Sequence, residues 1–478
     1  MKKYSLFALL LFLSACSVGP DYHEPRMDIP HQWGNDIKNN VAIQEQLEWW
    51  QSYSDPLLNE LINEASQSNL DLKAAFARIR EARASLSSAE AGLYPQINTS
   101  GSYSHNENSL NTPLTSSQNR SSSSSTNRYF DLYKVGLDAS WEIDLFGRLR
   151  RAEEAASAIL DSQIEDGHAT FLTLIADIAQ NYISLRGAQQ QLEITQNFYK
   201  AWDHIYQLNQ DLYKAGLATD IDVAQAKSFR EQAKANLFPL ESTIKSSIHN
   251  LSVLIGKNPT ALYPRLTEKK PLPRIPLEIF TGLPSELLER RPDIRKAERD
   301  LAAATAQIGI AMGDLFPKFS LTGNIGYQSN KGSNLIAPRS SFYSFGPGFS
   351  WPIIDFGRVK AAIEAKTASR DESFFNYEKA VLTAFKDVEN ALVNYSQETE
   401  RYTNLTLSFE ASKNAADVSR ARYKSGLLNF INVLQAETTY HTNALAMVQS
   451  QVTLLLNTVA LYKALGGGWQ TSTPHPKE

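Results

Sequence analysis

Val135-Gly136-Leu137-Asp138-Ala139-Ser140-Trp141, followed by Phe146-Gly147-Arg148, returns 210 positions later as Phe345-Gly346-Pro347-Gly348-Phe349-Ser350-Trp351, followed by Phe356-Gly357-Arg358. The offset holds far beyond the motif: Tyr213-Lys214-Ala215-Gly216-Leu217 matches Tyr423-Lys424-Ser425-Gly426-Leu427, and Gly256 matches Gly466. In each copy the periodicity changes at Phe-Gly-Arg. Before it, apolar and polar residues alternate as in a half-buried strand; after it, apolar residues recur by threes and fours as in a helix. The chain is therefore a half-chain duplication, each half joining an alternating strand to a very long helix.

The two faces of the strand are cleanly separated. Tyr133, Val135, Leu137, Ala139, Trp141 and Ile143 fall on one side, and Lys134, Gly136, Asp138, Ser140, Glu142 and Asp144 on the other. In the second copy Tyr343, Phe345, Pro347, Phe349 and Trp351 oppose Ser344, Gly346, Gly348 and Ser350. A sandwich strand could carry this pattern, but it also meets the requirements of a membrane strand: about 9–11 residues, apolar outside, polar inside, aromatic at the interfaces.

Outward from the motif, residues 55–256 read as the first repeat and 285–468 as the second, joined by a Pro-rich linker over 257–284. Strands are expected at about 96–105 and 129–144, then at about 318–328 and 342–354, with helical hairpins over 148–256 and 358–465. Asp293 aligns with Asp71 and Pro317 with Pro95 at an offset of 222, so the first half carries twelve extra residues between Pro95 and Trp141. The serine run Ser121 to Ser125 lies in that insert, within a polar stretch from His105 to Asn127 that cannot bury a core. No proline occurs between Trp141 and Phe238, or between Ile353 and Ser472, which permits helices far longer than the globular mean. Phe171, Ile175, Ile178, Tyr182, Leu185 and Leu192 form a heptad seam, repeated as Val381, Phe385, Val388, Leu392, Tyr395 and Tyr402. A helix from Arg148 to Lys214, at about 1.5 Å per residue, would span on the order of 100 Å. Gly216 ends it, and Thr219-Asp220-Ile221-Asp222 has the form of a capping box starting a returning helix.

The N-terminus has its own reading. Lys2 and Lys3 precede an apolar run from Leu6 to Leu13, a secretory signal covering residues 1–15. Leu13-Ser14-Ala15-Cys16 resembles the lipobox of bacterial lipoproteins, and Cys16 is the chain's single cysteine. That resemblance implies an N-acyl and S-diacylglycerol lipid on Cys16 and, with Ser17 following, sorting to the outer membrane. Residues 16–54 are expected as an extended segment along the body, and 469–478 as a tail.

Composition excludes several functions. A net charge of −4 gives no sign of nucleic-acid binding. The eight histidines include no His-Glu-x-x-His, and there is no phosphate-binding glycine loop, no Gly-x-Ser-x-Gly and no second cysteine for a catalytic or metal pair. Neither an enzyme nor a resident metal or cofactor is expected.

Four strands cannot close a barrel, and in lipid every edge must be paired, so copies of the chain are expected to share one. The small inward residues Gly136, Gly346, Gly348 and Ser350 suit an open lumen. The chain resembles the TolC-type outer-membrane efflux proteins, in their lipoprotein branch serving resistance-nodulation-division pumps. The resemblance is carried by Leu13 to Cys16, Val18-Gly19-Pro20-Asp21-Tyr22, Trp49-Trp50, Asp55-Pro56-Leu57, Trp141 with Asp144 to Arg148, Leu287 to Ile294, and Tyr462 with Leu465 to Gly468. It implies an α+β membrane fold: a homotrimer whose shared β-barrel in the outer membrane, with four strands per chain, continues as a periplasmic α-helical barrel. It further implies a periplasmic membrane-fusion adaptor and an inner-membrane pump as partners, with small-molecule efflux as the function; a protein-secretion duct of the same fold is the rival. At the periplasmic gate it implies Tyr213, Asp220, Asp222, Tyr423 and Asn432, and at the adaptor contact Gly216, Leu217, Gly426 and Leu427. Asn432 and Leu428 depart from the family's aspartate and tethering arginine. Asp222 has a second reading, as a helix-capping carboxylate.

Overall fold

The computed structural model describes residues 17–34, 48–107, 109, 129–275 and 284–470. The signal, Cys16 and the serine run lie outside these residues. The chain forms two compact units that cut across the sequence repeats. One holds the described residues of Met1–Glu24, Glu81–Leu160 and Arg299–Phe374; the other holds those of Pro25–Arg80, Asp161–Glu298 and Phe375–Glu478. The reason is mechanical: each half runs from one unit to the other along an uninterrupted 67-residue helix, Arg148–Lys214 (α3) or Arg358–Lys424 (α9), preceded in chain order by α1 (Pro56–Ser68) and α2 (Leu70–Ala91).

The first unit is built on a sheet in the order β1-β2-β3-β4, antiparallel throughout. Its strands are β1 (Gln96–Glu107), β2 (Tyr129–Ile143), β3 (Lys318–Ser329) and β4 (Ser341–Ser350). β4 stops four residues short of the expected end, since Pro352 has no N–H to continue a ladder. The register keeps the two faces apart across all four strands. Thr99, Leu137, Ile325 and Tyr343 form one row, and Asn98, Asp138, Asn324 and Ser344 the next row on the opposite face. Many large residues of the apolar face are solvent-exposed, among them Ile97, Leu137, Ile325, Tyr343, Phe345 and Phe349. Among the described residues, β1 and β4 each pair on one side only. Gly136 stands opposite Gly326, and a Cβ on Gly136 would lie 2.8 Å from the Ile325 carbonyl oxygen. Close strand approach therefore requires this glycine, in addition to the lumen space expected from the sequence.

The second unit packs helices along one another. Phe171, Ile175, Ile178, Tyr182 and Leu185 of α3 are buried with Val448, Val452, Leu455, Val459 and Tyr462 of the last helix (Phe430–Ala464), against Leu58, Leu61 and Ile62 of α1. The heptad seam is thus the core. Asp55 caps α1 through its carboxylate, with Pro56 at the first helical position. The return from α3 is two helices, α4 (Asp220–Ala235) and α5 (Leu237–Leu254). Pro239 explains the break at Asn236, because its ring conflicts with the carbonyl four residues back. The described part of the expected linker holds α6 (Tyr263–Leu266) and gives Leu262, Leu266 and Leu272 to the core. Short α7 (Leu287–Arg290) leads to α8 (Pro292–Gly313), and after α9 comes the last helix, α10. The N-terminal segment also packs more closely than expected. Trp33 is buried with its ring 6.1 Å from that of Phe385, and Trp49 stacks on Tyr462 at 5.2 Å.

Candidate functional site

The duplicated tryptophans anchor the base of the sheet. The Trp141 indole N–H donates to the Leu93 carbonyl at 2.8 Å, and that of Trp351 to the Leu315 carbonyl at 3.0 Å. Each bond ties the end of a strand to the residues just past the preceding helix. Beside it the chain turns from strand to helix through Gly147 and Gly357, at φ +79° and +88°. A side chain at Gly147 would strike Ser17, whose Cα lies 2.7 Å from the added Cβ. The Val18 N–H donates to the Phe146 carbonyl at 3.0 Å. Next, Gly19 lies against Gly309, and buried Arg151 reaches Asp21 at 2.6 Å and the Val18 carbonyl at 3.1 Å. The Arg151 hydrogen bond, then its charge, holds the Asp21 carboxyl below the usual range. Val18 to Asp21 thus fastens the residues immediately after Cys16 to the foot of the sheet.

The two hairpin turns share one construction in the second unit. Gly216 and Gly426 sit at φ +72° and +71°, where an added Cβ would meet nothing within 4 Å. They are glycine for backbone conformation alone. Their N–H groups donate to the Tyr213 and Tyr423 carbonyls at 3.0 and 2.9 Å, and the Leu217 and Leu427 N–H groups to the Leu212 and Arg422 carbonyls at 2.8 and 2.9 Å. Both are Schellman endings. Leu217 and Leu427 are 77 % and 75 % exposed, so two apolar side chains stand in solvent at the turns.

The turns differ on the return. The Thr219 and Asp222 side chains form the expected reciprocal capping box, with the Thr219 N–H donating to Asp222 Oδ2 at 2.9 Å. Asn429, the matching cap of α10, makes no side-chain cap. Asp220 and Asn432 lie in the first turns of α4 and α10, and Tyr213 is half exposed. Tyr423 packs with Trp202, Phe229 and Phe430 below the turns, and its hydroxyl donates to Asn209 Oδ1 at 3.4 Å. Burial, then the Asp222 charge, raises the Tyr423 hydroxyl pKa. The structure thereby brings Tyr423 and Asp222 into one electrostatic neighbourhood. Sequence reading missed Asn209, and also an ion pair one level below, exposed Arg420 Nε to buried Glu437 Oε1 at 2.5 Å. Charged residues inside a Pro-free helical run were the only available signal. Among the described residues no group of three or more His, Cys, Asp or Glu side chains is placed to hold a metal.

The sequence profile of the outer membrane efflux protein family matches residues 61–257 and 283–467. The chain belongs to the outer membrane efflux protein family. It is 31 % identical over 472 residues to the pyoverdine export outer membrane protein OpmQ of Pseudomonas aeruginosa, covering 98 % of each chain. It is 30 % identical over 476 residues to the toluene efflux pump outer membrane protein TtgC of Pseudomonas putida, covering 98 % of this chain and 96 % of that one. Its fold superposes on the outer-membrane channel OprN with a TM-score of 0.87 at 33 % identity, over 95 % of this chain and all of that one. This efflux protein is an outer-membrane duct with a periplasmic extension, on the α+β fold of that channel family. The family is one of channels, which agrees with the lack of a catalytic motif in the sequence.

Proposed function

We propose that three copies of this efflux protein close one twelve-stranded barrel and pass small molecules from an inner-membrane pump, through a periplasmic membrane-fusion adaptor, to the exterior. The observation that carries this reading is the sheet: one apolar face, one polar face and two edges without partners among the described residues. Eight strands would fill the interior with side chains, whereas twelve leave a lumen. From Trp141 to Tyr133 the apolar face runs about 26 Å along the strand, which a tilt of about 40° turns into about 20 Å of height, near that of an outer-membrane apolar band. A second observation comes from α9. Phe375, Leu382, Val393, Leu407 and Val418 are exposed at intervals of 7, 11, 14 and 11 residues. These intervals average close to 3.6 residues per turn and so keep one straight apolar stripe along the helix. Such a stripe fits the flank of a neighbouring copy.

The Val18 to Asp21 clasp supports an N-acyl and S-diacylglycerol lipid on Cys16, because Ser17 and Val18, which follow that cysteine in sequence, are held at the foot of the sheet. The duct carries no other cofactor in this reading. Exposed Leu217 and Leu427 at the Gly216 and Gly426 turns suit contact with the adaptor. Tyr213, Asp220, Asp222, Tyr423 and Asn432 line the periplasmic mouth, with Asp222 both capping α4 and contributing one carboxylate per copy. Relatives named for pyoverdine export and for toluene efflux differ in solute, so selection falls to the pump. Deleting the gene should sensitise cells to some members of a drug, metal and dye panel, and the intact gene should restore resistance. Unchanged susceptibility together with loss of a secreted polypeptide would favour the secretion duct instead.

A further inference from the structure

The polar face of the sheet is not uniform along its length. From Glu142 through Ser140 to Asp138 its rows carry only charged, amide, hydroxyl or glycine positions, partnered by Ser320, Thr322, Asn324, Ser344, Gly346 and Gly348. Nearer the β1–β2 loop the rule breaks. Phe342 stands on this face opposite Gly326, which is itself opposite Gly136. Two adjacent glycines leave the sheet bare there, and Phe342 is half-buried where Phe345 and Phe349 of the other face are exposed. Lys134, one row further out, places its Nζ 5.2 Å from the centroid of the Phe342 ring. Alternation puts Leu132 and Phe130 on the same face beyond it.

We propose that Phe342 and Lys134, extended by Leu132 and Phe130, form a collar that narrows the outer end of the lumen and sorts departing solutes by charge. This rests on the closed-barrel reading above, in which the polar face lines the lumen. Three copies of a large aromatic ring reduce the bore where glycine and serine leave it open elsewhere. Three ammonium groups, held by their rings, give the exit a positive ring above the Asp138 carboxylates, while Glu142 further down is paired with Arg148 at 2.9 Å. A cation therefore meets an attractive storey and then a repulsive one on its way out, and an anion meets the reverse. Charge of one sign in a narrow water-filled passage changes local solute concentration on the order of tenfold or more. The indole and phenol groups of the apolar face belong to the lipid boundary; Phe342 is the aromatic of β4 that serves the passage.

The test uses Ser140→Cys as a reporter below the collar, in the full duct on intact cells, with thiol reagents added outside. Native Cys16 is the only other cysteine, so the parent chain sets the background. With Phe342→Ala, labelling by a bulky neutral maleimide should rise, while Phe342→Leu, which keeps bulk, should change it little. With Lys134→Glu, the preference between anionic and cationic methanethiosulfonates of equal size should reverse. Unchanged bulk dependence and unchanged charge preference, in variants that still assemble as trimers, would overturn the collar. A different result identifies failure of the barrel reading itself: Ser140→Cys inert to small reagents while Leu137→Cys, on the opposite face, reacts from the aqueous side.

Discussion

Trp141 and Trp351 perform one task twice, each donating its indole N–H to a carbonyl just beyond a helix. Trp141→Phe keeps the ring and removes the donor, so it should cost about 1 kcal/mol. A lowered thermal midpoint of the detergent-solubilised protein, without loss of strand signal in circular dichroism, is the expected outcome. His441 gives a pH effect with a definite sign. Burial against Phe198, whose ring lies 3.8 Å away, lowers its imidazole to about 4 from an ordinary 6.5. The folded state therefore holds it neutral. Its contribution is complete above about pH 6.5 and is lost as pH falls through the window down to about 4. Glu437, one turn away, acts in the opposite sense: burial raises its carboxyl, Arg420 opposes the shift and Asp417 adds to it. His441→Phe isolates the histidine share. Between pH 7 and 5 the unaltered chain should lose more protection from hydrogen exchange in α10 than the variant loses, after correction for intrinsic rates. Equal losses would dismiss the assignment.

At the scale of elements, the long helices and the four strands were legible because their periodicity was uninterrupted and their breakers, Pro95, Gly216, Pro239 and Pro317, stood at the ends. The capping box over Thr219 to Asp222 was legible too, since cap chemistry is local in sequence. What was not legible depends on distant partners. The 16–54 segment has no periodicity, yet Trp33, Trp49 and Trp50 are buried because aromatic side chains can pack from irregular backbone. Phe342 sits one alternation before the polar set that was recognised, and only the register opposite Gly326 shows that it interrupts that set. The dual role of Asp222 is separable at this scale. Asp222→Ala should cost about 1 kcal/mol at the start of α4, seen as faster hydrogen exchange there. Asp222→Asn keeps most of the cap's acceptor function and should instead change single-channel conductance and cation selectivity. If both are unaltered in Asp222→Asn, the residue is a cap and not part of the mouth.

For the whole molecule, the duplication suggested two similar halves, and packing divided the chain differently. Because α3 and α9 carry both halves through both units, each unit is assembled from paired pieces of the two repeats. The same duplication supplies an even number of strands with an apolar outside, which only a closed barrel can hold in lipid. The exposed stripe on α9 belongs to the same argument. Leu382→Glu together with Leu407→Glu should weaken association while leaving the fold of each chain intact, as judged by mass and far-ultraviolet circular dichroism. The most direct measurement of the central claim is the mass of the mature protein in detergent, by native mass spectrometry. A species of three chains with the full strand signal is the predicted result; a stable single chain carrying that same signal would contradict the shared barrel.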